Sequence, residues 1–258
     1  MKLSNKRIIP VLLVQDGRLV KTRLFSDGIY LGDPINTITI FNEKEVDEII
    51  VLDITSSKKG LGPNFEMIRC VYDECFIPLA YGGGVSSLNE IVKIFSIGVE
   101  KVIINNFKSN KFLIESAVNR FGSQSIVGAI DIIDYDSKKL CFDHVNGCHT
   151  NESPITIAKE LERRGVGEIF INNVSRDGMR SGYDIDWFRE FASQLSVPVI
   201  ACGGAASYKD IYNLLNTTQV SAAAAGSVFT LYGKYDAPLL MYPSYDEIKE
   251  QINGLYND

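Results

Sequence analysis

The chain has 258 residues, 45% of them hydrophobic, which suits one large α/β domain with a sizeable core. Its formal net charge of −6 argues against wholesale nucleic-acid binding and requires any basic site to be local. Five cysteines form no framework and fit free thiols in a reducing cytoplasm; no apolar run reaches the length of a membrane helix, and the Lys-rich start lacks the apolar core of a signal peptide.

Arg7 to Val14 reads as a continuous apolar strand closed by Gln15-Asp16-Gly17. The polar, glycine-bearing segment from Arg18 to Asp33 reads as a mobile loop over the end of that strand. Asp33-Pro34 opens a helix. Glu48 to Ile54 is the second strand, Asn64 to Asp73 the second helix and Phe76 to Tyr81 the third strand. Ser87 caps a helix with apolar residues at Leu88, Ile91, Val92 and Phe95. Lys101 to Asn105 is the fourth strand and Lys111 to Phe121 the fourth helix.

The programme then repeats. Ser125 to Ile132 is the fifth strand, followed by a hairpin insertion over 135–150. Ser153-Pro154 starts a helix, Glu168 to Asn173 is the sixth strand, and a loop from Ser175 to Gly182 leads into a helix from Tyr183 to Leu195. Val197 to Cys202 is the seventh strand, Ser207 opens the seventh helix, Val220 to Ala225 is the eighth strand, and the last helix begins near Ser244. Phe76-Ile-Pro-Leu-Ala-Tyr-Gly-Gly-Gly84 and Val197-Pro-Val-Ile-Ala-Cys-Gly-Gly204 match, as do Glu48-Ile49 and Glu168-Ile169. These repeats predict a (β/α)8 TIM barrel made of two half-barrels, about 1–122 and 123–258, rather than an open doubly wound sheet.

In such a barrel the carboxyl ends of the strands build the site. Here they carry Leu13, Asp53, Gly82 to Gly84, Asn105, Asp131, Asn173, Gly203-Gly204 and Gly226-Ser227. Glycine at a strand end lets a phosphate approach backbone N–H groups. Two phosphate grips follow: Gly83, Gly84 and Asn105 on one side, Gly178, Gly203, Gly204, Gly226 and Ser227 on the other. They suit an elongated ligand phosphorylated at each end. Asp131, ringed by residues such as Ala129 and Ile130, is placed to exchange protons. Asp53 reads equally well as a binder of loop N–H groups. The cysteine and histidine spacing around Cys141, His144, Cys148 and His149 fits no zinc pattern, so neither a metal nor a cofactor is expected, and no Ser-His-Asp or Cys-His arrangement is evident. At the opposite end, Arg7, Glu48, Lys101 and Glu168 stand at strand starts and read as a ring of salt bridges, either a stabilising floor or a gate.

Arg7-Ile-Ile-Pro10, Asp16-Gly17-Arg18-Leu-Val-Lys21, Gly32-Asp33-Pro34, Leu52-Asp53-Ile54, Gly82-Gly-Gly84, Phe121-Gly-Ser-Gln124, Ala129-Ile-Asp131, Arg176-Asp-Gly178, Ser181-Gly-Tyr-Asp184 and Cys202-Gly-Gly-Ala205 together resemble the cyclase subunit of imidazole glycerol phosphate synthase, a histidine-biosynthesis family. The resemblance runs from about residue 6 to about residue 230. It implies a barrel that pairs with a glutaminase subunit and admits ammonia through a gate at Arg7, Glu48, Lys101 and Glu168. It implies reaction of that ammonia with a substrate carrying two phosphates, and a binding set of Lys21, Asp53, Gly83, Gly84, Asn105, Asn173, Asp177, Gly178, Gly203, Gly204, Gly226 and Ser227. Asp131 matches one of two catalytic aspartates; Leu13 stands in place of the other. Ile103, Asn106, Asn172 and Asn173 also depart from the family pattern. Two further readings follow from Leu13: amidation of a nucleotide-linked sugar with the same glutaminase and ammonia path, or a non-catalytic barrel that only activates the glutaminase.

Overall fold

The computed structural model describes residues 6–26, 28–105 and 112–253. In chain order the elements are β1 (Arg7–Gln15), β2 (Arg18–Lys21), β3 (Ile29–Gly32), α1 (Pro34–Glu43), β4 (Ile49–Asp53), α2 (Ile54–Lys59), α3 (Phe65–Asp73), β5 (Leu79–Gly82), α4 (Leu88–Ile97), β6 (Lys101–Ile104), α5 (Leu113–Phe121), β7 (Ile126–Tyr135), β8 (Lys138–Asp143) and β9 (Cys148–His149). They continue with α6 (Pro154–Arg163), β10 (Glu168–Asn173), α7 (Ile185–Ser193), β11 (Val199–Cys202), α8 (Tyr208–Thr217), β12 (Ala222–Ala225), α9 (Ser227–Thr230), β13 (Leu231–Tyr232), β14 (Ala237–Pro238) and α10 (Tyr245–Asn253).

Eight parallel strands close on themselves in the order β1-β4-β5-β6-β7-β10-β11-β12, with β12 returning to β1. This is the expected (β/α)8 TIM barrel. The β12–β1 pairing closes the barrel, and the side-chain period of two divides its strand residues between an inner and an outer face. One set of strand residues points inward: Ile9, Val11 and Leu13 from β1, Ile50, Ala80, Ile103, Val127, Ala129, Phe170, Ile200, Cys202, Ala222 and Ala224. The alternate set, with Ile8, Leu12, Val51, Tyr81, Val102, Ile104 and Ile130, packs against the helices. Both faces are apolar, as a buried parallel strand requires.

Helix starts are written locally. Asp33 accepts from the amides of Ile35 and Asn36, with Pro34 in the first turn. Asn64 and Asp184 cap α3 and α7, and Ser87 and Ser207 form capping boxes with Glu90 and Asp210. The paired elements β5 and β11, α4 and α8, and α3 and α7 recur at one constant offset in the sequence.

Several expectations are corrected. The segment after β1 is ordered: β2 runs antiparallel to β1 and β3 to β2, so the first strand carries its own hairpin instead of an irregular loop. The third strand begins at Leu79, and Phe76 is 84% exposed, because Pro78 delays the ladder. The insertion begins earlier than 135: β7 continues to Tyr135 and pairs with β8 from Ile132 onward. The short helices α2 and α9 follow β4 and β12 directly, too brief to show apolar periodicity in sequence. Lys111 and Asn106 lie outside the described residues.

Candidate active site

A cavity of about 380 Å³ opens at the carboxyl ends of the strands. That size suits a small-molecule site. Its wall includes Leu13, Lys21, Asp53, Gly83, Gly84, Asn105, Asp131, Asp177 and Gly226, which the structure thus brings together from widely separated segments. Asn173, Gly203, Gly204 and Ser227 lie behind that wall, and Gly178 faces a second, shallower depression with Arg23 and Arg180.

Two hairpins roof the cavity. Phe25, at the tip between β2 and β3, meets Phe142 of β8 edge-on with ring centroids 6.0 Å apart. Leu24 and Phe25 hold positive φ of 51° and 58° there, a turn geometry that bulky residues seldom adopt. The hairpin carries Lys21 into the site, where it is only 5% exposed. Its Nζ donates to Asp177 Oδ1 and to the Thr22 carbonyl, both at 2.8 Å, while the Thr22 hydroxyl donates to the other Asp177 oxygen. The ammonium is therefore buried with a paired carboxylate, the arrangement that keeps a charge tolerable out of water.

Asp131 stands near the point where β7 leaves the barrel, beside Asn172 of β10 in register. Its Oδ2 accepts from Asn105 Nδ2 at 2.6 Å. The same oxygen lies 3.1 Å from His144 Nδ1. His144 comes from the hairpin after β8 and also lines the cavity. Sequence reasoning missed this contact, setting both histidines aside within the insertion. The usable signal was the Asp143-His144-Val145-Asn146-Gly147 turn: Asp143 accepts from the amides of Val145 and Asn146, which fixes the turn and aims His144 back at the strand end. Burial alone would lower the His144 pKa. The hydrogen bond to Asp131 and the charges of Asp131 and Asp143 outweigh it, against a smaller opposing effect from Lys58, and the net shift is upward.

Asp53 is engaged otherwise. It caps α2, accepting from the Ser56 amide at 3.0 Å and the Ser56 hydroxyl at 2.8 Å. Both its oxygens are thus held within the protein. The glycines also have a reason apart from any ligand. A Cβ on Gly83 would lie 2.5 Å from the Asp53 carbonyl oxygen, and one on Gly204 2.2 Å from that of Gly182. Gly226 differs: its substituent would meet the Lys21 side chain at 3.1 Å, on the cavity wall. Behind the wall, both amide atoms of Asn173 and the Ser227 hydroxyl are buried without a partner among the described residues. Cys202 lines the cavity, but burial pushes its thiol up to about 12, so it stays protonated and is no nucleophile.

At the amino ends, Arg7, Glu48, Lys101 and Glu168 close a four-membered ring. Arg7 reaches both glutamates, and Lys101 reaches Glu48 at 2.8 Å and Glu168 at 3.0 Å. The formal charges cancel, and Glu48 is 2% exposed. Between ring and cavity the interior is lined by apolar side chains, many of them small: Ala80, Ala129, Ala222 and Ala224.

The histidine biosynthesis protein family matches residues 7–236. A Pseudomonas aeruginosa protein, named as a candidate imidazole glycerol phosphate synthase subunit hisF2, is 47% identical over 95% of this chain and 98% of its own length. A Vibrio vulnificus protein named as a candidate subunit hisF3 is 39% identical over 97% of this chain and 98% of its own. The imidazole glycerol phosphate synthase subunit HisF of Sulfolobus acidocaldarius is 36% identical over 86% of this chain and 90% of its own. The chain belongs to the histidine-biosynthesis family, among the cyclase subunits of imidazole glycerol phosphate synthase.

Proposed function

We propose that this chain is the ammonia-using synthase subunit of a glutamine amidotransferase complex. Ammonia released by a glutaminase partner enters at the ring of Arg7, Glu48, Lys101 and Glu168 and crosses the small-residue interior to the cavity. There it reacts with the ribulosyl form of phosphoribosyl-formimino-aminoimidazole carboxamide ribotide (PRFAR), and imidazole glycerol phosphate and aminoimidazole carboxamide ribotide leave. One observation carries the reading: a single barrel holds a closed charged ring at one end and a carboxylate-bearing cavity at the other, joined by an apolar interior. A charged ring at the mouth of an apolar path suits a gate for a small neutral molecule.

In this reading Asp131 holds or moves a proton, Lys21 and Asp177 position the substrate, and the two glycine-lined sides take its phosphates, with Asn105 as a further polar contact, Asn173 and Ser227 backing the wall, and Gly178 at the neighbouring depression. Asp53 contributes through the α2 cap that shapes the wall. The chain's working place is the cytoplasm, and its two halves, about 1–122 and 123–258, descend from one half-barrel. No helix among the described residues is long and apolar enough to cross a membrane.

A second reading keeps the ring and the ammonia path but changes the acceptor to a nucleotide-linked sugar. Leu13 favours it: the family's second catalytic carboxylate position is here an apolar side chain on the cavity wall. Purified chain, PRFAR and excess ammonium salt at mildly alkaline pH test both. Loss of substrate absorbance supports the cyclase reading. Absence of turnover by folded protein rejects it and favours the second.

A further inference from the structure

Ammonia addition to a carbonyl is a proton-shuffling reaction. As the N–C bond forms and the C=O π bond opens, nitrogen gives up a proton and oxygen takes one. A second such transfer breaks the C–O bond, and water leaves. A site that performs both halves needs a group able to accept a proton and return it. Leu13 is unable to do so, and Asp131 is already held by two donors.

The geometry points to His144 as the second proton-transfer residue of the cavity, working as a couple with Asp131 in place of the carboxylate absent at position 13. This rests on the cyclase reading for its substrate, and on the hairpin geometry for everything else. A carboxylate only accepts, so the 3.1 Å contact makes His144 Nδ1 the donor. The neutral ring then carries its lone pair on Nε2, and the side chain, 23% exposed, belongs to a residue of the cavity wall. The 3.4 Å approach of Asn105 Nδ2 to His144 Nδ1 is two donors converging on one carboxylate oxygen. Asp131 thereby sets the tautomer and stabilises the imidazolium that forms when Nε2 accepts a proton. The groups facing the ring are Asp131 from β7, Asp143 from β8, Lys58 from α2 and Asn105 after β6. The acids predominate, which suits a base that must hold its proton and then release it. The roof contact between Phe25 and Phe142, two residues before His144, anchors the strand that leads into this turn.

The deciding variant is His144→Asn, whose amide still donates to Asp131 but has no counterpart of Nε2. With PRFAR and ammonium salt, kcat should fall by about 10²-fold or more with KM within about threefold, and the limb of the pH profile set by the imidazole should vanish. A kcat loss below about threefold, or an unaltered pH profile, overturns the assignment and leaves the cyclase reading standing. If wild-type protein turns over no PRFAR, the cyclase reading falls and the couple is judged by NMR. The chain has only two histidines, so His149→Gln leaves His144 as the single imidazole signal. A tautomer protonated at Nδ1 and a pKa that drops in Asp131→Asn support the couple; a pKa unmoved by that change overturns it.

Discussion

Strands β1 and β7 stand on opposite sides of the barrel and present the same inward ladder. Ile9, Val11 and Leu13 on one correspond to Val127, Ala129 and Asp131 on the other. The first two rungs of each are apolar filling. The second and third both line the cavity, and at the third the strands part: leucine on β1, aspartate on β7. The chain beyond them differs too. After β1 it turns back as the hairpin that buries Lys21 against Asp177; after β7 it turns back as the hairpin that brings His144 onto Asp131. Each strand end thus gains a charged or titratable side chain from the hairpin that follows it, Lys21 after β1 and His144 after β7. The lesson is that a lost carboxylate is judged against the whole cavity wall.

The sharpest way to break the comparison is Asp131→Asn. Turnover should fall by about 10²–10⁴-fold, the range of general acid–base catalysis, while glutaminase binding at the far end of the barrel is unchanged. Activity retained within tenfold in a steady-state assay would remove β7 from the chemistry. Lys101→Ala tests whether the two barrel ends communicate. It opens the ring and leaves Glu48 buried with Arg7 alone, so glutamine consumed per product formed should rise well above one; an unchanged ratio means the ring is only a floor.

Gly204→Ala probes the packing of the turn after β11 against Gly182. Its φ of 107° and the 2.2 Å clash with the Gly182 carbonyl predict a loss of about 1–3 kcal/mol or more in denaturant unfolding. A neutral result would mean that the backbone can yield there. Leu13→Asp restores a carboxylate to β1 and should raise ammonia-dependent turnover about tenfold, with His144→Asn then less harmful. No gain would place the difference in the cavity's shape.

The smallest effect is a pH dependence of stability. The folded pKa of His144 is raised, so its contribution is fully present below the ordinary value of 6.5 and is lost as pH rises through the raised value. Thermal melts should therefore show a slight decline above that range which Asp131→Asn abolishes; identical slopes in both proteins would deny the interaction.

Much of this was legible in sequence because its causes are local. Apolar runs ending in glycines mark β5 and β11, and serine three residues before an acid marks the starts of α4 and α8. Asp131 stood out as a carboxylate near the end of an apolar strand. Charged residues at four strand starts announced a ring, since barrel closure brings strand starts together. What tertiary structure decided lies in the segments that leave the barrel and return. Whether Asp53 binds a ligand or caps α2 depends on where the chain turns next. That the segment after β1 is a hairpin, and that its tip meets Phe142, depends on residues more than a hundred positions apart. His144 is thirteen residues from Asp131 and reaches it only because β7 and β8 fold together. Periodicity and capping record what a residue does with its neighbours in the chain, whereas the mouth of a barrel is assembled by contacts between segments that share no local signal.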